Sequence, residues 1–276
     1  MLFLTTCDNV SASMSAQPRT GSRREIVLVV LCMVFVLSSA CVAAELTVAA
    51  AADLGAPLQE IAENFHKQTG DTVRLSFGSS GNLTTQIENG APFDLFLSAD
   101  LGYPERLLKE SLAEPGSLMT YAVGAIVLWV PADSTLDVER AGMQILMNPA
   151  VKRIAIANPE HAPYGRAAVA ALKYFKIYDK VESRLVLGEN ISQAAQFAES
   201  GNAQIGIIAL AGASALDGKG RYWKISQDAY PALQQGAVIT AQAKNKELSR
   251  KFLEFLNTPE SRAILTRYGF AAPEAK

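Results

Sequence analysis

Cysteine is scarce in this chain of 276 residues: Cys7, Cys32 and Cys41 are the only thiols, and all precede residue 42. The rest of the chain therefore has no disulfide framework, no thiol nucleophile and no cysteine-based metal site. Histidine is scarcer still, with His66 and His161 alone, too few and too distant for the usual zinc ligand set. Positive charge is not in excess, since a formal net charge of −2 and a pI near 5.8 leave no broad basic surface for nucleic acid. No G-x-x-x-x-G-K-[ST] phosphate loop occurs, so any ATPase must be a separate subunit. Repeats, low-complexity tracts and linker-like loops are absent too. What remains is a globular balance, 49% hydrophobic and 19% charged, which excludes disorder and collagen-like fibre.

One apolar run stands out, Ile26 to Leu37, preceded by Arg23-Arg24 and followed by the small residues Ser38 to Ala44. Its 12 residues fall short of the roughly 20 a spanning helix needs, and the pattern is that of a secretory signal. Residues 1–44 are therefore expected to be a signal peptide, cleaved after Ala43 or Ala44, with the mature chain exported. Lipid anchoring at Cys41 is the lesser alternative, because Ser38 stands where a lipobox usually has an aliphatic residue.

Beyond the leader, hydrophobic periods switch between two and 3.6 residues. Leu46 to Ala51 reads as a strand, and Leu54, Leu58, Ile61 and Phe65 recur at helical spacing until Gly70. Thr72–Phe77 and Phe93–Leu97 read as strands around a short helix from Leu83 to Asn89. Ala122–Val130 reads as one long apolar strand. Strands at Lys152–Ala157, Arg184–Leu187 and Ile205–Ala209 alternate with helices at about 165–175 and 192–198. A strand at Ala237–Thr240 and two helices close the chain. The alternation predicts an α/β fold, and crossing strands fit two lobes better than separate domains.

In open α/β sheets, ligands sit beyond the carboxyl ends of strands, where the next helix presents unpaired N–H groups and the positive end of its dipole. Four such loops are informative: 50–53 (AAAD), 78–82 (GSSGN), 161–165 (HAPYG) and 188–192 (GENIS). They are rich in small, amide and hydroxyl residues that let an oxyanion approach the backbone. Taken singly, Ser79, Ser80 and Asn190 also read as ordinary helix caps.

At these same residues the chain resembles the periplasmic molybdate-binding proteins of ABC importers, over essentially all of the mature sequence. The segments that carry the likeness are Val48 to Leu54, Phe77 to Leu83, Gly90 to Asp100, Ala157 to Gly165 and Arg267 to Phe270. The resemblance implies a two-lobed periplasmic binding protein, type II, with its ligand in the interlobe cleft. It implies a monomer and no enzyme, with no cofactor, serving an ABC permease and its ATPase subunit. Lobe I would comprise residues 45–124 and 236–276, and lobe II residues 125–235. Molybdenum would enter as molybdate, or tungsten as tungstate, held through the oxygens of the anion.

Carried over position by position, the ligand-binding set implied is Asp53, Ser80, Tyr164 and Ile191, supported by Ala52, Ser79 and Asn190. Tyr164 and Ile191 would act through backbone N–H groups. Two positions depart from the family pattern: Asp53 replaces a hydroxyl residue, and Ala209 stands where some members use a tyrosine. Asp53 is expected first of all to cap N–H groups near Leu54 and Gly55; alternatively it is protonated, or coordinates the metal directly. A carboxylate at that position also opens the alternative of another small anion, such as sulfate, phosphate or an organic acid. Two further readings compete: a hydrolase built on Ser80 and His161, and a carboxylate cation site from Asp53, Asp94 and Asp100.

Overall fold

The computed structural model describes residues 44–273. The leader expected at 1–44, including Cys41, lies outside the described residues except for Ala44. No helix among the described residues is long and apolar enough to cross a membrane.

Two mixed five-stranded sheets carry the fold. The first contains β1 (Glu45–Ala51), β2 (Thr72–Gly78), β3 (Leu95–Ser98), β4 (Met119–Gly124) and, from far down the chain, β10 (Leu233–Ile239). Their order is β2-β1-β3-β10-β4, with β1 parallel to both neighbours and β10 antiparallel to β3 and β4. The second is built from β5 (Ile126–Pro131), β6 (Ile154–Ala157), β7 (Leu185–Gly188), β8 (Ile205–Ala209) and β9 (Gly220–Lys224), in the order β7-β6-β8-β5-β9. Here β6 runs parallel to β7 and β8, while β5 is antiparallel to β8 and β9.

The α-helices of six or more residues mostly follow strands. In chain order they are α1 (Gly55–Thr69), α2 (Ser80–Glu88), α3 (Gly102–Lys109), α4 (Pro163–Tyr174), α5 (Ile191–Glu199), α6 (Leu210–Ala215), α7 (Lys246–Leu256) and α8 (Pro259–Arg267). α1 buries Leu58, Ile61, Ala62 and Phe65, the face its periodicity predicts, and stops at Gly70, whose φ of 78° is left-handed. Phe65 meets Phe252 and Phe255 of α7 edge to face, with ring centroids 5.1 and 5.3 Å apart. Truncating it to alanine would cost about 3–5 kcal/mol.

The single strand expected at 122–130 is two strands. β4 ends at Gly124 in the first sheet, and β5 starts at Ile126 in the second, so Ala125 is the crossing point. Both halves are buried, which is why the apolar run gives no sign of the break. The chain returns before β10, which pairs with the first sheet from Leu233 onward. The apolar core divides accordingly: one cluster holds Leu46, Leu58, Phe65 and Phe252, another Ile126, Ile156, Ala168 and Ile205. α3, α6 and β9 were not anticipated, because each is short and only half covered.

Candidate functional site

The carboxyl ends of strands from both sheets face each other, so several helices begin at one place. β2 ends at Gly78, and Ser79 caps α2 by accepting from the Asn82 N–H at 3.4 Å. α4 starts with Pro163 at its first turn, where a missing N–H costs nothing. Asn190 caps α5 by accepting from the Gln193 N–H at 3.0 Å. A short 3-10 turn, Ala52–Leu54, leads from β1 into α1.

These starts enclose a small, narrow cavity lined by Ala52, Asp53, Ser79, Ser80, Tyr164, Asn190 and Ile191, with Ala51, Gly78, Ala99, Ala162 and Pro163 completing the wall. All seven residues expected at the site thus stand around one space, and the lining contains no lysine or arginine. Among the described residues, the N–H groups of Ser80, Tyr164 and Ile191 have no protein acceptor. They are first-turn donors of three helices, each with its positive dipole end toward the cavity. Ser80 Oγ accepts from the Ala99 N–H at 3.0 Å, which fixes the hydroxyl and leaves its proton free to be donated.

Asp53 does not cap a helix, contrary to the first expectation. Neither the 3-10 turn nor α1 has a side-chain cap. Its Oδ2 instead accepts from the Tyr164 hydroxyl at 2.9 Å and from Gln235 Nε2 at 2.5 Å. Gln235 Oε1 in turn accepts from the Tyr121 hydroxyl at 2.9 Å. A network from three other elements, through Tyr164 of α4, Gln235 of β10 and Tyr121 of β4, captures the carboxylate instead. Burial pushes the Asp53 carboxyl up to about 6, against the opposing effect of the Gln235 and Tyr164 donors. Burial together with the Asp53 charge raises the phenols of Tyr121 and Tyr164 well above their ordinary value, so both keep their protons.

Tyr164 therefore has more than a backbone role. Its phenol reaches the crossing strand so closely that a Cβ on Gly124 would overlap it. The Gly124 that interrupts the apolar run is there to admit the phenol. Ala209 does not line the cavity; it lies in a neighbouring groove with Ala195, Ala211 and Ala215, next to Asp53.

Polar contacts between the lobes ring the cavity. The Gly81 N–H donates to the His161 carbonyl at 2.8 Å, and His161 Nδ1 lies 2.9 Å from Ser79 Oγ. Ser192 donates to the Ala52 carbonyl at 2.9 Å, and Asn82 to Glu189 at 3.2 Å. Further out, Arg166 pairs with Asp100 at 2.5 Å and lies over the Tyr103 ring.

Two competing readings fail on geometry. His161 bonds to Ser79, while Ser80 Oγ is engaged by Ala99, so the Ser80–His161 pair does not form. The carboxylates of Asp53, Asp94 and Asp100 are dispersed: Asp94 accepts from Thr47 and the Lys244 N–H, and Asp100 pairs with Arg166. Sequence reasoning missed Gln235 and Tyr121. Gln235 is fully buried, at a register irregularity between Gln235 and Gly236 of β10, and nothing in Leu-Gln-Gln-Gly marks it.

Two α/β lobes joined by crossing strands, with a small donor-lined cavity where their helices begin, define a solute-binding protein. Similarity to known proteins makes this specific. The chain is 38% identical over 240 residues to the molybdate-binding protein ModA of Rhodobacter capsulatus, covering 87% of this chain and 93% of that protein. It is 40% identical over 237 residues to ModA of Azotobacter vinelandii, covering 85% of this chain and 92% of that one. The solved periplasmic molybdate-binding protein of Azotobacter vinelandii superposes with a TM-score of 0.78 at 36% identity, covering 83% of this chain and 100% of that one. Residues 46–271 match the family described as bacterial extracellular solute-binding protein, and the chain belongs to that family.

Proposed function

We propose that this protein captures molybdate or tungstate in the periplasm and delivers it to an ABC permease and its ATPase subunit. The observation that carries the reading is the cavity itself, whose wall brings together Ser80, Tyr164 and Ile191, with unpaired first-turn N–H groups and the Ser80 hydroxyl, and no cationic side chain. Neutral donors fixed in advance stabilise a tetrahedral dianion at little reorganisation cost, and helix dipoles reinforce them. The names of the relatives, molybdate-binding proteins, support molybdate as the anion.

Residues 45–124 together with β10 and the chain after it would move as one body against the second sheet and its helices, turning about Ala125 and the segment that leads into β10; the boundary expected at 235/236 moves to before Leu233, where β10 joins the first sheet. Ser80 belongs to the first body, Tyr164 and Ile191 to the second. An anion contacting both favours the closed arrangement by its differential affinity for it. Selectivity follows from size. A ring of donors set for long metal–oxygen bonds leaves sulfate under-satisfied, whereas molybdate and tungstate are nearly alike. The carboxylate of Asp53 supports one second reading, a different small anion such as phosphate on the same scaffold.

Thermal unfolding of the purified protein against molybdate, tungstate, sulfate and phosphate tests the assignment. An anion at about 100 times its dissociation constant stabilises by about 2.7 kcal/mol, a shift of a few degrees. The expected result is a rise with molybdate and tungstate alone. A rise with phosphate or sulfate alone would redirect the site.

A further inference from the structure

The hydrogen bonds at Asp53 give its two oxygens different roles. Because Gln235 Oε1 accepts from Tyr121, its Nε2 faces Asp53, and Oδ2 receives both that amide and the Tyr164 hydroxyl. Oδ2 is thereby committed as an acceptor. Oδ1 is buried without a hydrogen-bond partner, on a residue that lines the anion cavity. A dianion there would meet a bare carboxylate oxygen, and like charges in a water-poor cleft repel strongly. A proton on Oδ1 turns the same atom into a donor.

Resting on the anion-binding reading above, we propose that the oxyanion is captured together with one proton, carried on Asp53 Oδ1 and donated as a hydrogen bond to an anion oxygen. The proton comes from solvent, forms an O–H bond with Oδ1, and returns to solvent on release; the anion itself is unchanged.

The surroundings leave Asp53 as the group that takes the proton. Tyr121 of β4 and Tyr164 of α4 face it already protonated, as is Tyr230, whose burial also raises its phenol. α5 and α6 present Ile191, Ser192, Ala211 and Gly212 toward it, none of them ionisable. Glu199, which lines the alanine-rich groove beside Asp53, is paired with Lys219 at 2.8 Å. His161 stands at the cavity rim, bonded to Ser79. The Asp53 carboxyl already holds its proton up to about 6 from burial, and a neighbouring dianion raises that further.

The test is titration calorimetry with sodium molybdate and, separately, sodium tungstate, from pH 6.5 to 8, in two buffers of different ionisation enthalpy, on the wild type and Asp53→Asn. The wild type should take up close to one proton per anion, and its affinity should fall by up to about tenfold per pH unit. Asp53→Asn, with a permanent N–H donor, should bind without proton uptake and with a flat pH profile. Wild-type binding without proton uptake would overturn the proposal, and so would uptake that persists in Asp53→Asn, which would place the proton elsewhere, as on His161. If that variant does not fold, His161→Gln decides instead: uptake retained there leaves Asp53 as the carrier, and uptake lost there overturns the proposal. Absence of molybdate or tungstate binding at every pH would instead overturn the anion assignment beneath it.

Discussion

The Tyr164 hydroxyl donates to Asp53 Oδ2 at 2.9 Å, tying the start of α4 in one lobe to the turn after β1 in the other at the edge of the cavity. In the proposed hinge motion this bond breaks when the lobes separate, which would make closure and cavity assembly one event. Tyr164→Phe should keep the fold and the Tyr164 N–H but lose this link, weakening molybdate binding by about 1–2 kcal/mol in calorimetry. The deletion also strips Asp53 of a donor, so its carboxyl should move further up, visible as a shifted pH profile.

Ser80→Ala removes a donor hydroxyl whose position is set by the Ala99 N–H. The Ala99 N–H is left without its acceptor as well. Molybdate affinity should drop by roughly 1–3 kcal/mol. Unchanged affinity would remove Ser80 from the site.

Gly81 tests closure apart from chemistry. A Cβ there would come within 2.7 Å of both the His161 Cβ and the Tyr103 hydroxyl, and 2.8 Å from the His161 carbonyl, all part of the interlobe seam. Gly81→Ala should therefore oppose closure by about 1–3 kcal/mol, the cost of overpacking. Affinity should fall about tenfold or more while the unfolding midpoint of the ligand-free protein changes little. Equal loss of stability and affinity would show that the residue supports the fold instead.

Asp53 also sets the pH dependence of the ligand-free protein. Its carboxyl ionises near 6 when folded and near 3.8 as a free side chain. Between those values Asp53 binds more protons in the folded state than in the unfolded one, so its own contribution to stability is full below about 4 and is lost as the pH rises through about 6. The difference corresponds to at most about 3 kcal/mol. Asp53→Asn should remove this loss and stabilise the ligand-free protein at pH 7–8, which thermal unfolding from pH 4 to 8 measures.

The Arg166–Asp100 pair is partly exposed, with side-chain exposures of 44% and 24%, so solvent screens it. Arg166→Ala should change molybdate affinity by about 0.5–1 kcal/mol, chiefly as faster release in stopped-flow measurement, and the effect should shrink at high salt.

The sequence shows which loops matter better than it shows what their side chains do. The four strand-to-helix loops are visible because glycine, serine and asparagine interrupt hydrophobic periods, and all four meet at the cavity. The role of Asp53 is not visible, because its partners are 111 and 182 residues away and the decision between cap and network is tertiary. The division of 122–130 into two strands is hidden for a similar reason: both halves are buried, so Ala125 carries no polar signal. Gln235 is hidden by ordinary polar company at a strand irregularity that pairing alone creates.

The most direct test of the central claim is the position of the metal in crystals grown with molybdate or tungstate, read from its anomalous scattering. One strong peak should lie within the cavity of Ser80, Tyr164 and Ile191, with oxygens at hydrogen-bond distance from their N–H groups and from Asp53 Oδ1. A peak in the alanine-lined groove beyond Asp53, or none inside the molecule, would contradict the account.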